Sequence, residues 1–336
     1  MHNIDIKKYE IRTDMAIDLA EKNKDIINTI KYEKKGVKVT WIKLDKDNKI
    51  NKKPGNYLTL EFNDITDDDA KKNVSSIFKE ELLNMLNNTN FNAKTKTLVI
   101  GLGNVRSTPD ALGPYVSEKV IVTKHFFDMN VNVDDKFSNV SSFYPGVTGS
   151  TGIETKDLIE GVVKQTTPDL IIVIDALASS SISRVNKSIQ VSDSGISPGS
   201  GVGNKREEIS KETLGIPVIA IGVPTVVDAA VIVCDTINYM SKNYAYNKEL
   251  EEKNISKFVT SKVNYLDKNV DVNMEDKKTL FGLVGTLKEE ELLRLTYEVL
   301  EPIGYNLMVT PKEIDFIIEK LSEIISYGIN HCLHNI

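Results

Sequence analysis

Three short, continuous apolar runs mark the centre of this 336-residue chain: Leu98-Val99-Ile100, Leu170-Ile171-Ile172-Val173-Ile174 and Val218-Ile219-Ala220-Ile221. Unbroken β-branched runs of this kind suit parallel strands that are covered on both faces. A helical stretch over about 156–164 leads into the second run, and an apolar helix over about 226–240 follows the third. Thr108 and Pro109 open a helix after the first run, Thr as N-cap and Pro at the first helical position. This βαβ succession predicts an α/β fold, a doubly wound and mainly parallel sheet flanked by helices, with its core at about 97–240.

The flanking regions follow other periods. Residues 37–44 and 57–62 alternate apolar and polar positions as half-buried strands do, and the polar stretch 45–55 between them reads as a hairpin loop. Thr66 then caps a helix with Asp67, Asp68 and Asp69 in its first turn and Val74, Ile77, Phe78, Leu82, Met85 and Leu86 at helical spacing. Residues 242–278 are strongly polar and predict an exposed excursion. The C-terminal part, about 287–334, is helical: Thr310 to Glu313 form a capping box before a broad apolar face that runs from Ile314 to Cys332. Two Gly- and Ser-rich stretches, 143–152 and 192–206, predict loops beside the strand ends, where binding segments commonly lie.

Composition narrows the class. With 48 acidic and 42 basic side chains the chain carries a net charge of −6, which argues against a direct nucleic-acid binder. Cys234 and Cys332 are far apart and lack metal-ligand spacing, so Cys234 reads as a buried thiol and the chain as one suited to a reducing cytoplasm. No apolar run is long enough for a membrane span, and Lys7, Lys8, Glu10, Arg12, Asp14 and Asp18 leave no signal-peptide core.

The chemistry lies with two aspartates placed just past apolar strands. Asp110 follows the first run through Gly101-Leu102-Gly103-Asn104, and Asp175 ends the second. In open α/β sheets ligands bind outside the carboxyl ends of the strands, where two carboxylates can share a proton, activate water or hold a metal. Singly, Asp110 serves equally as a helix-capping acid and Asp175 as a strand-end acid bonded to loop amides. A dinucleotide fingerprint fails because Arg106 stands where its third glycine belongs. Catalytic zinc calls for histidines, and none of His2, His125, His331 and His334 follows the third strand; the last two read as solvated. Nor does a Gly-x-Ser-x-Gly elbow stand between a strand and a helix.

The motifs Gly101-Leu102-Gly103-Asn104, Thr108-Pro109-Asp110-Ala111-Leu112-Gly113-Pro114, Pro145-Gly146-Val147-Thr148-Gly149, Ile174-Asp175-Ala176-Leu177-Ala178 and Gly222-Val223-Pro224-Thr225-Val226-Val227-Asp228-Ala229 resemble those of the germination protease family of spore-forming bacteria. The likeness runs from Ile11-Arg12-Thr13-Asp14-Met15-Ala16 over nearly the whole chain. It implies an endopeptidase that degrades the small acid-soluble proteins protecting spore DNA. Such an enzyme is made as a tetrameric zymogen in the forespore and acts in the spore core. Family substrates are cut after an acidic residue that precedes a large apolar residue and alanine. Asp14-Met15-Ala16 imitates that pattern, which implies self-cleavage between Asp14 and Met15, a propeptide of residues 1–14 and a single peptidase domain of residues 15–336. Acidification would favour the cut by protonating carboxylates near the scission site.

The fold also resembles that of hydrogenase-maturation endopeptidases, which carry acids matching Asp110 and Asp175 and hold nickel with a histidine. The matching histidine is missing here, so no metal and no cofactor is expected. The same likeness implies that Asp110 and Asp175 act as an aspartic-type pair. Lys205 and Arg206 in the second loop are candidates for gripping a substrate acid. The alternatives are a metal-dependent maturation endopeptidase with one dedicated protein target, or a non-catalytic spore protein that binds peptides in the same crevice.

Overall fold

A computed structural model describes residues 13–23, 27–48, 52–89, 91–129, 131–199, 207–252, 265–268, 270–300, 302 and 307–336. One sheet of nine strands organises them: β1 (Thr29–Lys34), β2 (Val37–Leu44), β3 (Gly55–Glu61), β4 (Thr97–Gly101), β5 (Val140–Phe143), β6 (Leu170–Ser179), β7 (Ser188–Ser192), β8 (Val218–Asp228) and β9 (Met308–Val309). Eleven helices accompany them: α1 (Ala16–Lys22), α2 (Asp68–Asn87), α3 (Leu112–Lys119), α4 (Lys124–Asp128), α5 (Thr148–Thr151), α6 (Thr155–Thr166), α7 (Lys211–Leu214), α8 (Ala229–Glu252), α9 (Met274–Phe281), α10 (Glu289–Leu300) and α11 (Ile314–Leu333).

The strand order is β1-β2-β3-β7-β8-β6-β4-β5, with β9 beside β8. Strand β4 lies parallel to both β5 and β6, with Gly101 opposite Ile174. The N-terminal strands extend this parallel core as an antiparallel wing, β1 to β2, β2 to β3 and β3 to β7. The result is a mixed α/β sheet with a partly parallel core, flanked by helices.

Alternation of side chains along each strand explains the layers. Val99, Ile172 and Ile174 join one core with Phe78 of α2, Val116 of α3 and Ile325 of α11. Their neighbours Leu98, Ile100, Ile171 and Val173 join a second core on the other face, with Ile159 of α6. Both faces of β4 and β6 are therefore apolar, which is why those segments read as unbroken runs. A third cluster gathers Met15, Ala16, Ile17 and Ala20 with Ile42, Leu44, Tyr57 and Leu177.

The chain separates into two compact units. One comprises Arg12–Val226 with Thr310–Ile336 and holds the sheet core, α1 to α7 and α11. The other includes Val227–Val309, where β9 pairs with the end of β8, and Tyr297 donates a 2.9 Å hydrogen bond to Asp228.

Several sequence expectations shift. The cap of α2 is Asp67, accepting from Ala70 N–H at 2.9 Å, because the Thr66 hydroxyl donates to Asp64 instead. Helix α11 starts after Glu313 without the expected capping box; Thr310 donates its hydroxyl to the Thr225 carbonyl at 2.9 Å. Residues 108–110 form a 3-10 turn, and α3 begins only at Leu112. Helix α8 runs on to Glu252, taking in the first eleven residues of the expected polar excursion, whose later part contains α9.

Candidate active site

The C-terminal end of β4 is built from glycines that let backbone approach backbone. A Cβ on Gly101 would lie 2.1 Å from the Gly113 carbonyl oxygen, and one on Gly113 would lie 2.2 Å from the Leu102 oxygen and 2.7 Å from that of Ile174. Gly103 takes φ +120°, and a Cβ there would lie 2.0 Å from the Asp110 carbonyl oxygen. The start of α3 can thus press against the β4 turn and the body of β6. Backbone hydrogen bonds fix the contact: Leu102 N–H to Ile174 at 2.7 Å, Asn104 N–H to Asp110 at 2.9 Å and Asp110 N–H to Ser107 at 2.8 Å.

This packing sets both aspartates at one end of two adjacent parallel strands. The Asp110 carboxylate lies over Gly103, its Oδ1 3.2 Å from where a Cβ would stand. Asp175 follows Ile174, the partner of Gly101, and so stands beside Leu102. It is only 6% exposed, and its Oδ1 accepts the Ala176 N–H at 2.9 Å. A half-buried and a buried carboxylate at one end of adjacent strands suit proton transfer to and from a water molecule.

Three residues farther along β6, the N-terminal segment docks. Asp14 N–H donates to the Ala178 carbonyl at 3.0 Å, and Ala178 N–H donates to Asp14 Oδ2 at 3.0 Å. Residues 174 and 178 are an even number apart, so they present their polar groups on the same strand edge, the one left open where β4 ends. The Asp14 carbonyl accepts from Lys52 Nζ at 2.8 Å and from Gln190 Nε2 at 3.2 Å. Gln190 Oε1 accepts the Ala16 N–H at 2.6 Å. Met15 between them is fully buried in the third cluster. Burial lowers the pKa of Lys52, and the nearby carboxylates of Asp14 and Asp18 oppose that effect.

Behind this segment lies a buried charge network for which no sequence motif stands. Asp18 accepts from Arg184 at 2.6 Å, from Thr13 at 2.6 Å and from the Ser180 N–H at 2.7 Å. Arg184 also pairs with Glu21 at 2.6 Å and Glu61 at 3.0 Å. Burial alone would lower the Arg184 pKa, but the three carboxylates raise it.

Other sequence candidates lie elsewhere. Lys205 and Arg206 fall outside the described residues. His334, expected to be solvated, is buried: its Nδ1 accepts the Ser138 N–H at 3.2 Å, and its Nε2 therefore donates to the Ile121 carbonyl at 3.0 Å. Among the described residues no group of three or more His, Cys, Asp or Glu side chains is placed to hold a metal ion. No helix among them is long and apolar enough to cross a membrane.

The Peptidase A25 germination protease profile matches residues 4–336. The chain belongs to the germination protease family. Germination proteases of Bacillus cereus (strain G9842) and Bacillus mycoides (strain KBAB4) are each 45% identical to it, with 99% of this chain and 96% of each relative covered. Among solved structures, the [NiFe] hydrogenase maturation protease HycI from Thermococcus kodakarensis KOD1 is matched at 20% identity over 43% of this chain and 80% of that one. Its TM-score of 0.29 is too low to carry an argument about this chain. Family membership makes this a spore-germination endopeptidase; the residues that cut and the bond they cut are a separate matter.

Proposed function

We propose that this germination protease starts the degradation of small acid-soluble spore proteins, that Asp110 and Asp175 break the peptide bond, and that the chain first removes its own residues 1–14. In this reading one carboxylate takes a proton from a water molecule as it attacks the scissile carbonyl carbon. The other, protonated, donates to the leaving amine, so the pair titrates as a unit. The observation that carries the reading is the shared strand, β6, which holds Asp175 and the dock of Asp14. Asp175 and the Ala178 partner of Asp14 are three residues apart, about 10 Å of strand. A carboxylate side chain and one water molecule would occupy most of that span. The zymogen is a homotetramer of the spore core, and its substrates are cut after an acid that precedes a large apolar residue and alanine.

The test is Asp175→Asn and, separately, Asp110→Asn in the full-length chain, with removal of residues 1–14 followed by mass spectrometry at acidic pH and folding checked by circular dichroism. Folded variants that stay uncut beside a processed wild type are expected. Normal processing of either would assign the chemistry to other residues. Self-cleavage should also slow as pH rises, and equal rates at acidic and neutral pH would remove the role given to protonated carboxylates.

A further inference from the structure

The peptide bond between Asp14 and Met15 is held by two side chains from separate strands and loops, neither of which belongs to the carboxylate pair. Lys52 precedes β3 and Gln190 lies on β7, where it registers with Thr59 and Gly222. Gln190 is buried, and its amide bridges the segment: Nε2 donates to the Asp14 carbonyl while Oε1 accepts from Ala16 N–H. One side chain thus reads the backbone on both sides of Met15, whatever the identity of the residue between. Lys52 donates to the same Asp14 carbonyl, and its charge lies close enough to the Asp14 carboxylate to interact with it. That makes the lysine sensitive to which residue stands at position 14.

We infer that Lys52 and Gln190 are positioning residues for the bond after Asp14, and that Lys52 is the cation that selects an acidic residue there. The inference rests on the self-processing reading above. Two donors on one carbonyl fix its orientation and draw electron density toward the oxygen that becomes negative when water adds. A cation in half-buried surroundings also favours a neighbouring carboxylate over an amide of the same shape. The contacts accommodate the substrate pattern proposed above: an extended peptide whose acid accepts from the Ala178 amide and whose carbonyl accepts from Lys52, a large apolar residue beside Leu177, and a small residue after it. Ala16 is fully buried, so a larger side chain at that place has no room.

The experiment is a double-mutant cycle in full-length protein with Asp14→Asn, Lys52→Met and the two combined, and with Lys52→Arg as the conservative variant. Two quantities are read: the rate of loss of residues 1–14 at acidic pH, and hydrogen exchange of the Asp14 and Ala16 amides with processing blocked by Asp175→Asn. Each single variant should process at least about tenfold more slowly, as expected for losing a hydrogen bond to a charged group. The double variant should lose less than the sum of the two single losses, because the charge interaction between Lys52 and the Asp14 carboxylate is removed by either change, while the Lys52 bond to the Asp14 carbonyl is lost only in Lys52→Met. Lys52→Arg should recover part of the rate, and exchange at Ala16 should rise in Lys52→Met. Additive losses in the cycle, unchanged exchange, or faster processing in Lys52→Met would each overturn the inference. If no variant and no wild-type chain is processed while exchange still couples residues 14 and 52, the contact stands and the self-processing reading falls.

Discussion

Replacing Gly113 by alanine should damage catalysis more than its size suggests. The added methyl would stand 2.2 Å and 2.5 Å from the backbone oxygen and nitrogen of Leu102, and 2.7 Å from the oxygen of Ile174. The closest of these falls about 1.2 Å short of the 3.4 Å at which ordinary contact begins. Every obstructing atom is main chain, so no side chain can swing aside and α3 itself must retreat. Overpacking of this kind costs about 1–3 kcal/mol, and the rigid surroundings place this case near the upper end. A loss of ~3 kcal/mol lowers the melting temperature of a chain of this length by roughly 4 °C. Asp110 stands three residues before Gly113 and moves with it. A displacement near 1 Å costs a reaction on the order of 100-fold.

The measurements are a thermal melt and initial cleavage rates on a purified small acid-soluble spore protein. Gly161→Ala on α6 is the comparison, since a Cβ there meets nothing within 4 Å. That change should stabilise by about 0.5–1 kcal/mol through helix propensity and leave the rate alone. Wild-type melting and rate in Gly113→Ala would show that the close approach of α3 to the β4 turn does not set the site.

Three further outcomes follow from other parts of the molecule. Arg184→Met should cost about 3 kcal/mol in urea unfolding, because it strands the buried Asp18 carboxylate beside hydroxyl and amide donors alone; a loss under ~1 kcal/mol would mean the network is solvated. Burial holds the His334 pKa below its usual 6.5, against a smaller raising effect of the Ile121 carbonyl. The unfolded chain then binds more protons, so this contribution is complete above about pH 6.5 and is lost as pH falls through the folded value. The slope is at most about 1.4 kcal/mol per pH unit, and His334→Gln should flatten it; an unchanged pH–stability curve would refute the assignment. Burial also pushes the Cys332 thiol up to about 12. Iodoacetamide at pH 8 should therefore label it more than about 1,000-fold more slowly in the native protein than in urea, and equal labelling would contradict that burial.

The sequence discloses strands better than it discloses their neighbours. Segments 97–101, 170–174 and 218–221 carry residues that must be covered on both faces, and that demand is visible residue by residue. Strand β7 is not visible, because Ser188-Ile189-Gln190-Val191-Ser192 reads as the approach to a loop and becomes a strand only by pairing with β3 and β8. Asp110 and Asp175 were legible because a strand points each toward the same edge. Lys52, Gln190 and Arg184 were not, since each gains its partner from a residue more than thirty positions away. His334 misled for the opposite reason: a terminal position suggests solvent, while Ser138 and Ile121 enclose it.

Strand β6 carries Asp175 and the Asp14 dock on one uninterrupted ribbon, so its length works as a ruler. Inserting two residues between Asp175 and Ala178 would preserve which side faces the crevice and shift the docked segment by one pleat. Inserting one would reverse the sides and turn the docking groups away. If Asp110 and Asp175 cut after Asp14, as proposed, the bond they meet is specified by counting along a strand, and an evolving chain could move it only in steps of two.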